Sequence, residues 1–127
     1  MVAVFRFNTE MFDVRKERPN DINPIWGESL LIWLAEQAKS TVLIPPPSTE
    51  DWGWYSYVNW KGRSYMLGAS AAKDPGGATE WVLQIVKHRS LKERLLGKEA
   101  MTANDECVAF FHQMVAGEPR FLNLAVE

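Results

Sequence analysis

Residues 50–65 read Glu-Asp-Trp-Gly-Trp-Tyr-Ser-Tyr-Val-Asn-Trp-Lys-Gly-Arg-Ser-Tyr, and they hold three of the six tryptophans and all three tyrosines of the chain. Trp and Tyr combine a large apolar area with one polar atom that needs a partner, so such a segment anchors a core or forms a recognition surface. The Lys61-Gly62 pair divides the segment, because a glycine in a two-residue connection supplies the positive φ of a tight hairpin. The sequence therefore predicts a β-hairpin of residues 54–60 and 63–69.

The predicted hairpin has two different faces. Its register places Trp60 opposite Arg63, Val58 opposite Tyr65 and Ser56 opposite Leu67. Side chains alternate along a strand, so each set of alternate residues shares one face. The face expected in the core holds Trp54, Val58, Trp60, Tyr65 and Leu67. The more polar face, expected to meet water or a partner, holds Tyr55, Tyr57, Asn59, Ser64 and Met66.

The residues before the hairpin predict a strand and a long helix. Alternating apolar residues over 2–8 indicate the strand. The polar, proline-containing run 13–23 indicates a surface loop. Asn23 followed by Pro24 is a favourable helix start, because Asn can accept from an early amide and Pro needs no hydrogen-bonded N–H there. An apolar stripe carries this predicted helix to about Lys39.

Two further strands are expected on either side of the hairpin. Residues 41–44 resemble a short buried strand, which must end at prolines 45–47 because these lack amide donors. After the hairpin, the small-residue run 72–78 contains Asp-Pro-Gly-Gly and predicts a turn. Alternation over 79–87 then predicts a central strand.

The last third of the chain predicts two helices and a strand. The Ser-x-x-Glu pattern at Ser90 predicts a capping box and a short helix over 91–96. Thr102 or Asn104 is the expected cap of a second helix, and weak alternation over 121–126 predicts a final strand.

The predicted order of elements is β, α, β, hairpin, β, short α, α, β. This order indicates an α+β fold: a largely antiparallel sheet with a central hairpin, packed against one long N-terminal helix and C-terminal helices. With 127 residues, of which 46% are hydrophobic and 24% charged, the chain predicts a single globular domain over 1–127. The expected core residues are Trp26, Leu34, Trp54, Val58, Trp81, Phe111 and Met114.

Composition bears on location and partners. The single cysteine, Cys107, cannot form an intramolecular disulfide, and residues 1–8 lack the character of a signal peptide, so we expect a cytoplasmic protein. No apolar run approaches the roughly 20 residues of a membrane span, so we expect no membrane partner. The net charge of −2 argues against nucleic acid, whose binding requires neutralisation of phosphates.

One segment resembles known sequences. Residues 47–55, Pro-Ser-Thr-Glu-Asp-Trp-Gly-Trp-Tyr, followed by residues 60–68, Trp-Lys-Gly-Arg-Ser-Tyr-Met-Leu-Gly, resemble small uncharacterised bacterial proteins with an Asp-Trp-Gly-Trp segment before a hairpin. The resemblance covers about 20 residues. It implies a bacterial source and an α+β fold, and it assigns no functional residue. Small bacterial domains of this class include immunity proteins that neutralise partner toxins, an analogy at the level of the fold.

The aromatic hairpin predicts a protein-interaction domain without enzymatic activity. Trp, Tyr and Arg are enriched at interface hot spots, and the partner is another protein or a second copy of the chain. We expect a regulatory or immunity-like role. The predicted contact residues are Tyr55, Tyr57, Asn59, Lys61 and Arg63.

A small ligand-binding protein or small enzyme is the alternative. Glu50, Asp51 and Glu80 would then supply the polar groups of an aromatic-lined pocket. A nucleophilic Cys107 is disfavoured, because Asp105 and Glu106 oppose thiolate formation. No catalytic residue, cofactor or metal ion is expected, since no known motif for these is present.

Overall fold

A computed structural model describes residues 2–73 and 79–127, and the predicted turn within 74–78 lies outside them. A short 3-10 turn, Val14–Lys16, lies in the loop after the first strand. The regular elements are β1 Ala3–Asn8, α1 Glu28–Ala38, β2 Ser48–Glu50, β3 Gly53–Trp60, β4 Arg63–Lys73, β5 Thr79–Lys87, α2 Leu91–Leu95, α3 Glu106–Ala116 and β6 Leu122–Val126.

The strands form one antiparallel sheet in the order β2-β3-β4-β5-β1-β6. The predicted hairpin is confirmed with its register, because Trp60 pairs with Arg63 and Val58 with Tyr65. Both residues of the two-residue turn have positive φ, which matches the right-handed twist of the flanking strands. β5 is an internal strand, as predicted. The α+β class with an antiparallel sheet is confirmed.

One face of the sheet builds the core. Side chains from four strands point to this face, and the leucines of α1 and the apolar side of α3 cover it. Aromatic contacts show the packing of α3, where His112 stacks on Phe5 and Phe110 contacts Trp60. The largest buried side chains of this core are Trp54, Trp81, Phe5, Phe7, Phe111, Leu30, Leu31, Leu34, Leu67 and Leu83.

The prediction of a long N-terminal helix from Pro24 to Lys39 is wrong. α1 has eleven residues, the same as α3, and begins only at Glu28. The backbone before it is extended, since the carbonyl of Trp26 accepts from the amide of Ala71 at 2.9 Å. Gly27 then passes so close to β4 that a Cβ would lie 2.3 Å from the carbonyl oxygen of Ala69. Pairing with the sheet therefore displaces the first predicted helical turn.

The cap of α1 comes from the loop and not from Asn23. The carboxylate of Glu17 accepts from the amides of Gly27 and Ser29 at 3.0 and 2.9 Å. It also accepts from the Ser29 hydroxyl at 2.7 Å. These bonds satisfy amides that a helix leaves free at its start, and the negative charge suits the helix dipole. A residue ten positions upstream thus fixes the helix start.

Three smaller expectations are also corrected. Residues 41–44 form no strand, and the edge strand is β2, which follows the prolines; there the Ser56 hydroxyl donates to the Pro45 carbonyl at 2.9 Å. Trp26 lies outside the core, with 39% of its surface exposed. The cap of α3 is Asp105, which accepts from the amide of Val108 at 3.0 Å. The capping box between Ser90 and Glu93 is confirmed.

Candidate functional site

The second face of the sheet, which we call the open face, carries half-buried or exposed side chains across its centre. One row of register partners crosses four strands there, from Tyr55 through Gly68 and Gln84 to Val4. The next row joins Tyr57 to Met66 and Val86. Tyr57 is 53% exposed, whereas its neighbours of opposite parity, Ser56 and Val58, are buried. The predicted division of the hairpin into a core face and a more polar face is therefore present in the structure.

Trp52 lies over this face. It occupies the turn between β2 and β3, and its ring folds back onto β4, where a Cβ on Gly68 would lie only 2.7 Å from Cη2 of the indole. The side chain of Gln84 borders the same spot, since its Cγ would lie 2.8 Å from that Cβ. The indole ring therefore packs directly on the backbone of Gly68, which has no side chain to occupy that space.

Trp52 and the two tyrosines border a groove on the open face. The groove is an open depression with a volume of about 540 Å³. Tyr55 and Tyr57 meet edge to face, with ring centroids 5.6 Å apart, the geometry in which the positive edge of one ring meets the negative face of the other. The residues that line the groove are Glu50, Trp52, Tyr55, Tyr57, Met66 and Gln84.

Two asparagine side chains of the 13–23 loop hold the turn that carries Trp52. Nδ2 of Asn20 donates to the carbonyls of Glu50 and Gly53 at 3.0 and 2.9 Å. Nδ2 of Asn23 donates to the carbonyl of Asp51 at 2.8 Å. The β2–β3 turn is thus fixed by side chains that lie 28 to 33 residues upstream of the carbonyls they bind. The 13–23 segment, which the sequence predicts as a surface loop, therefore also positions the turn that carries Trp52.

The acids predicted as a ligand pocket are not brought together. Glu50 lines the groove, and its carboxylate accepts from the amide of Asp51 at 3.0 Å. The Asp51 residue itself is exposed. Glu80 belongs to β5, three strand positions from β2, which is about 14 Å at the usual strand spacing. It pairs with Arg6 at 3.5 Å. Of the three acids, only Glu50 belongs to the groove.

The predicted contact residues of the hairpin also separate. Lys61 forms an ion pair with Glu106 at 2.6 Å, and Arg63 holds Glu93 through two bonds of 2.8 and 2.9 Å. These contacts point the two cations toward α3 and α2, away from the tyrosines. Asn59 is exposed on the open face, but its Oδ1 accepts from the amide of Gly62 and so braces the turn.

The contact between Arg63 and Glu93 is a fixed ion pair with two hydrogen bonds. The hydrogen bonds from Arg63 lower the pKa of Glu93 to about 2, with a smaller contribution from the amide of Ser90. The same pair raises the pKa of Arg63 above its ordinary value. Arg63 is therefore held in the fold rather than presented to a ligand.

Cys107 lies in the core. It is completely buried, and burial raises the pKa of its thiol to about 12, with a further contribution from the charge of Asp105. A thiol with such a pKa is protonated at neutral pH and is a poor nucleophile. Among the described residues, no three His, Cys, Asp or Glu side chains lie close enough to share a metal ion.

Comparison of the chain with known protein families, with curated proteins and with solved structures finds no significant match. None of the helices formed by the described residues has the length and apolar character needed to cross a membrane. The candidate site is therefore defined by its own geometry: an aromatic groove on the open face with one carboxylate at its border.

Sequence reasoning identified Tyr55 and Tyr57 but missed Trp52, Gln84 and Asn20. A signal for Trp52 was present, because an isolated glycine inside a strand pattern indicates a bulge or a close approach of another group. Gly68 is such a glycine. No local pattern indicates that Asn20 reaches the β2–β3 turn, since that contact depends on the path of the whole loop.

Proposed function

We propose that the protein is a non-enzymatic binding domain whose open face binds another protein. The observation that carries this proposal is the exposed Tyr57 at the border of a groove that Tyr55 and Trp52 also line. Burial of such rings against a partner removes a large apolar area from water, and Tyr and Trp dominate the binding energy of many interfaces. The polar tips of the tyrosines can keep hydrogen bonds to water at the border.

The structure of the groove supports binding of a partner protein to a surface that is already formed in the free protein. Its walls belong to strands and to a turn held by Asn20, so the rings are positioned before a partner arrives. Rigid aromatic anchors lose little conformational freedom on binding, which raises affinity for a given contact area. The proposed contact surface does not include Lys61 and Arg63, because their ion pairs direct them toward α3 and α2.

The proposed partner is a different protein or a second copy of the chain, as in a regulatory or immunity-like protein. We also propose a bacterial source, which the resemblance of residues 47–55 and 60–68 implies. We further propose the cytoplasm as the compartment. The free thiol of Cys107 supports this proposal, because unpaired cysteines are typical of proteins in reducing compartments.

A small-ligand function has one observation in its favour. The groove volume of about 540 Å³ falls in the range of roughly 300–1,000 Å³ that ligand pockets occupy. Glu50 would be the polar group that orients such a ligand. Asp51 and Glu80, the other acids of that hypothesis, lie outside the groove lining.

Photo-crosslinking in the host cells tests the proposal. A photoreactive residue replaces Ser64, which lies on the open face opposite Asn59 and diagonal to Tyr57, and in a matched variant it replaces Gln37 on the exposed side of α1. We expect a discrete protein adduct from position 64 and none from position 37. Tyr57→Ala in the position-64 variant should abolish the adduct without loss of the folded state by circular dichroism.

The mass of the adduct identifies the kind of partner, since a second copy doubles the mass of the chain. Sedimentation of the purified protein over a range of concentrations provides the same information for self-association. Absence of an adduct at position 64, or an adduct that Tyr57→Ala leaves unchanged, would contradict the proposal. So would a double change of Tyr55 and Tyr57 to Ala that destabilises the fold and leaves binding intact.

A further inference from the structure

Two tryptophans of the protein are each combined with a cationic side chain and a glutamate. Cζ of Arg18 lies 5.4 Å from the ring centroid of Trp54, and Arg18 is hydrogen-bonded to Glu28. Nζ of Lys61 lies 5.9 Å from the ring centroid of Trp60 and 2.6 Å from Glu106. In both trios the cation meets the negative face of the indole and a carboxylate at the same time.

A third tryptophan has a glutamate without a cation. Trp52 and Glu50 line the same groove. Among the side chains that the structure describes, those of residues 2–72 and 79–127, no Lys, Arg or His nitrogen lies within 4.0 Å of a carboxylate oxygen of Glu50 or of the adjacent Asp51. Arg6, a cation of β1, is engaged by Glu80 and Glu127. The groove therefore combines aromatic faces with unneutralised negative charge.

We propose that this groove receives an arginine side chain presented by the partner protein. This inference rests on the proposed function and specifies the chemistry of its partner. A guanidinium group is planar, so it can stack on Trp52 or Tyr57 while its N–H groups donate to the carboxylate of Glu50. The hydroxyls of the two tyrosines and the amide oxygen of Gln84 are further acceptors. The arginine of the partner, together with Trp52 and Glu50, would form a third group of tryptophan, cation and glutamate.

The charge preference can be measured without knowing the partner. N-acetyl-arginine amide is titrated into the full-length protein, and the Trp52 indole resonance is followed by NMR. The control ligand is N-acetyl-citrulline amide, which has nearly the same shape without the charge. We expect the arginine derivative to bind about two- to fivefold more tightly, the range that a cation–π contact at an exposed site provides. The resonances of Trp54 and Trp60, which already have cations, should stay unchanged.

Two glutamine variants locate the source of the preference. Glu50→Gln should reduce the difference between the two ligands, because it removes the charge of the carboxylate, keeps the shape and leaves the aromatic contact in place. Glu80→Gln, on the same face but outside the groove, should leave the difference intact. Equal binding of the two ligands to the unmodified protein, or a preference that Glu50→Gln leaves undiminished, would overturn the inference.

The crosslinking result separates this inference from the proposed function. Without arginine preference, a Tyr57-dependent adduct at position 64 would mean that the open face binds a protein by other chemistry. With arginine preference but no adduct, the open face would bind cations without serving as a protein interface, and the partner assignment would be wrong.

Discussion

The indole ring of Trp52 rests on the backbone of Gly68, so closely that a Cβ at position 68 would lie 2.7 Å from Cη2 of the ring. This contact joins the turn after β2 to the middle of β4, and Trp52 is one of the residues that line the groove. It explains why a glycine interrupts a strand of otherwise β-favouring residues: any side chain there would occupy the volume of the ring.

Gly68→Ala should displace Trp52 from the sheet. The added methyl group meets the far edge of the indole and the side chain of Gln84, both of which can move, so we expect a stability loss of about 1 kcal/mol, the lower end for overpacking. Acrylamide quenching of tryptophan fluorescence should increase. Ser70→Ala, two residues along the same face of β4, is the control and should leave quenching unchanged. A Gly68→Ala protein with unchanged quenching would show that the position of the Trp52 ring does not depend on a glycine at position 68.

Asn20→Ala should loosen the turn that carries Trp52. The change removes two donors to the carbonyls of Glu50 and Gly53, and we expect a loss of about 1–3 kcal/mol in the free energy of unfolding. Urea denaturation measures the loss, and hydrogen exchange should increase in β2.

Asn104→Ala is the matched control, because the exposed side chain of Asn104 makes no hydrogen bond among the described residues and its backbone has no positive φ. We expect it to change stability by less than about 0.5 kcal/mol. Equal effects of the two substitutions would mean that Asn20 does not hold the turn.

Tyr65→Phe should uncouple the hairpin from α3. The Tyr65 hydroxyl donates to Oδ2 of Asp105 at 2.6 Å, and Oδ1 of the same carboxylate caps α3 through the amide of Val108. Burial, and then this hydrogen bond, raise the pKa of Tyr65 above its ordinary value, so the hydroxyl stays protonated and remains a donor. We expect a loss of about 1.5–3 kcal/mol, as for a hydrogen bond to a charged group.

Thermal or urea unfolding measures this loss, with Tyr57→Phe as the control. Among the described residues the Tyr57 hydroxyl has no hydrogen-bond partner, so its removal should leave stability nearly unchanged. A Tyr65→Phe protein as stable as the Tyr57→Phe protein would refute the coupling.

The Arg63–Glu93 pair should make stability depend on acid pH. Its hydrogen bonds lower the pKa of Glu93 from the ordinary 4.5 to about 2 in the folded protein. The unfolded chain therefore binds a proton first as the pH falls, so the stabilising contribution is complete above pH 4.5 and is lost between pH 4.5 and 2.

The free energy of unfolding, measured by denaturation across this pH range, should fall less steeply for Glu93→Gln than for the unmodified protein. Glu106→Gln is the comparison, since Glu106 pairs with Lys61 through side chains that are about 70% exposed, and exposed pairs contribute little. An unchanged pH slope in Glu93→Gln would contradict the assignment.

The parts of the fold that sequence analysis predicted correctly depend on neighbours along the chain. The two-residue turn at Lys61-Gly62 sets the register of the hairpin, and alternation then places Tyr55 and Tyr57 on one face. The capping box between Ser90 and Glu93 spans three residues. Each of these features follows from hydrogen bonds and side-chain periodicity within a few positions.

The predictions that failed concern contacts between distant segments. The predicted cap at Asn23 is a sound local pattern, but pairing of Trp26 with Ala71 and capping by Glu17 move the start of α1 to Glu28. Local preference is worth about 1 kcal/mol at a cap, which several long-range hydrogen bonds can outweigh.

For the candidate site the sequence by itself determined that two tyrosines share a face of a hairpin. Only the tertiary structure decided that Trp52 lies beside them, that Glu50 joins the groove while Glu80 does not, and that Lys61 and Arg63 turn away to acids on α3 and α2. The physical reason is that strand periodicity orients a side chain relative to its own strand, whereas its neighbours in space depend on how loops and helices pack across the sheet.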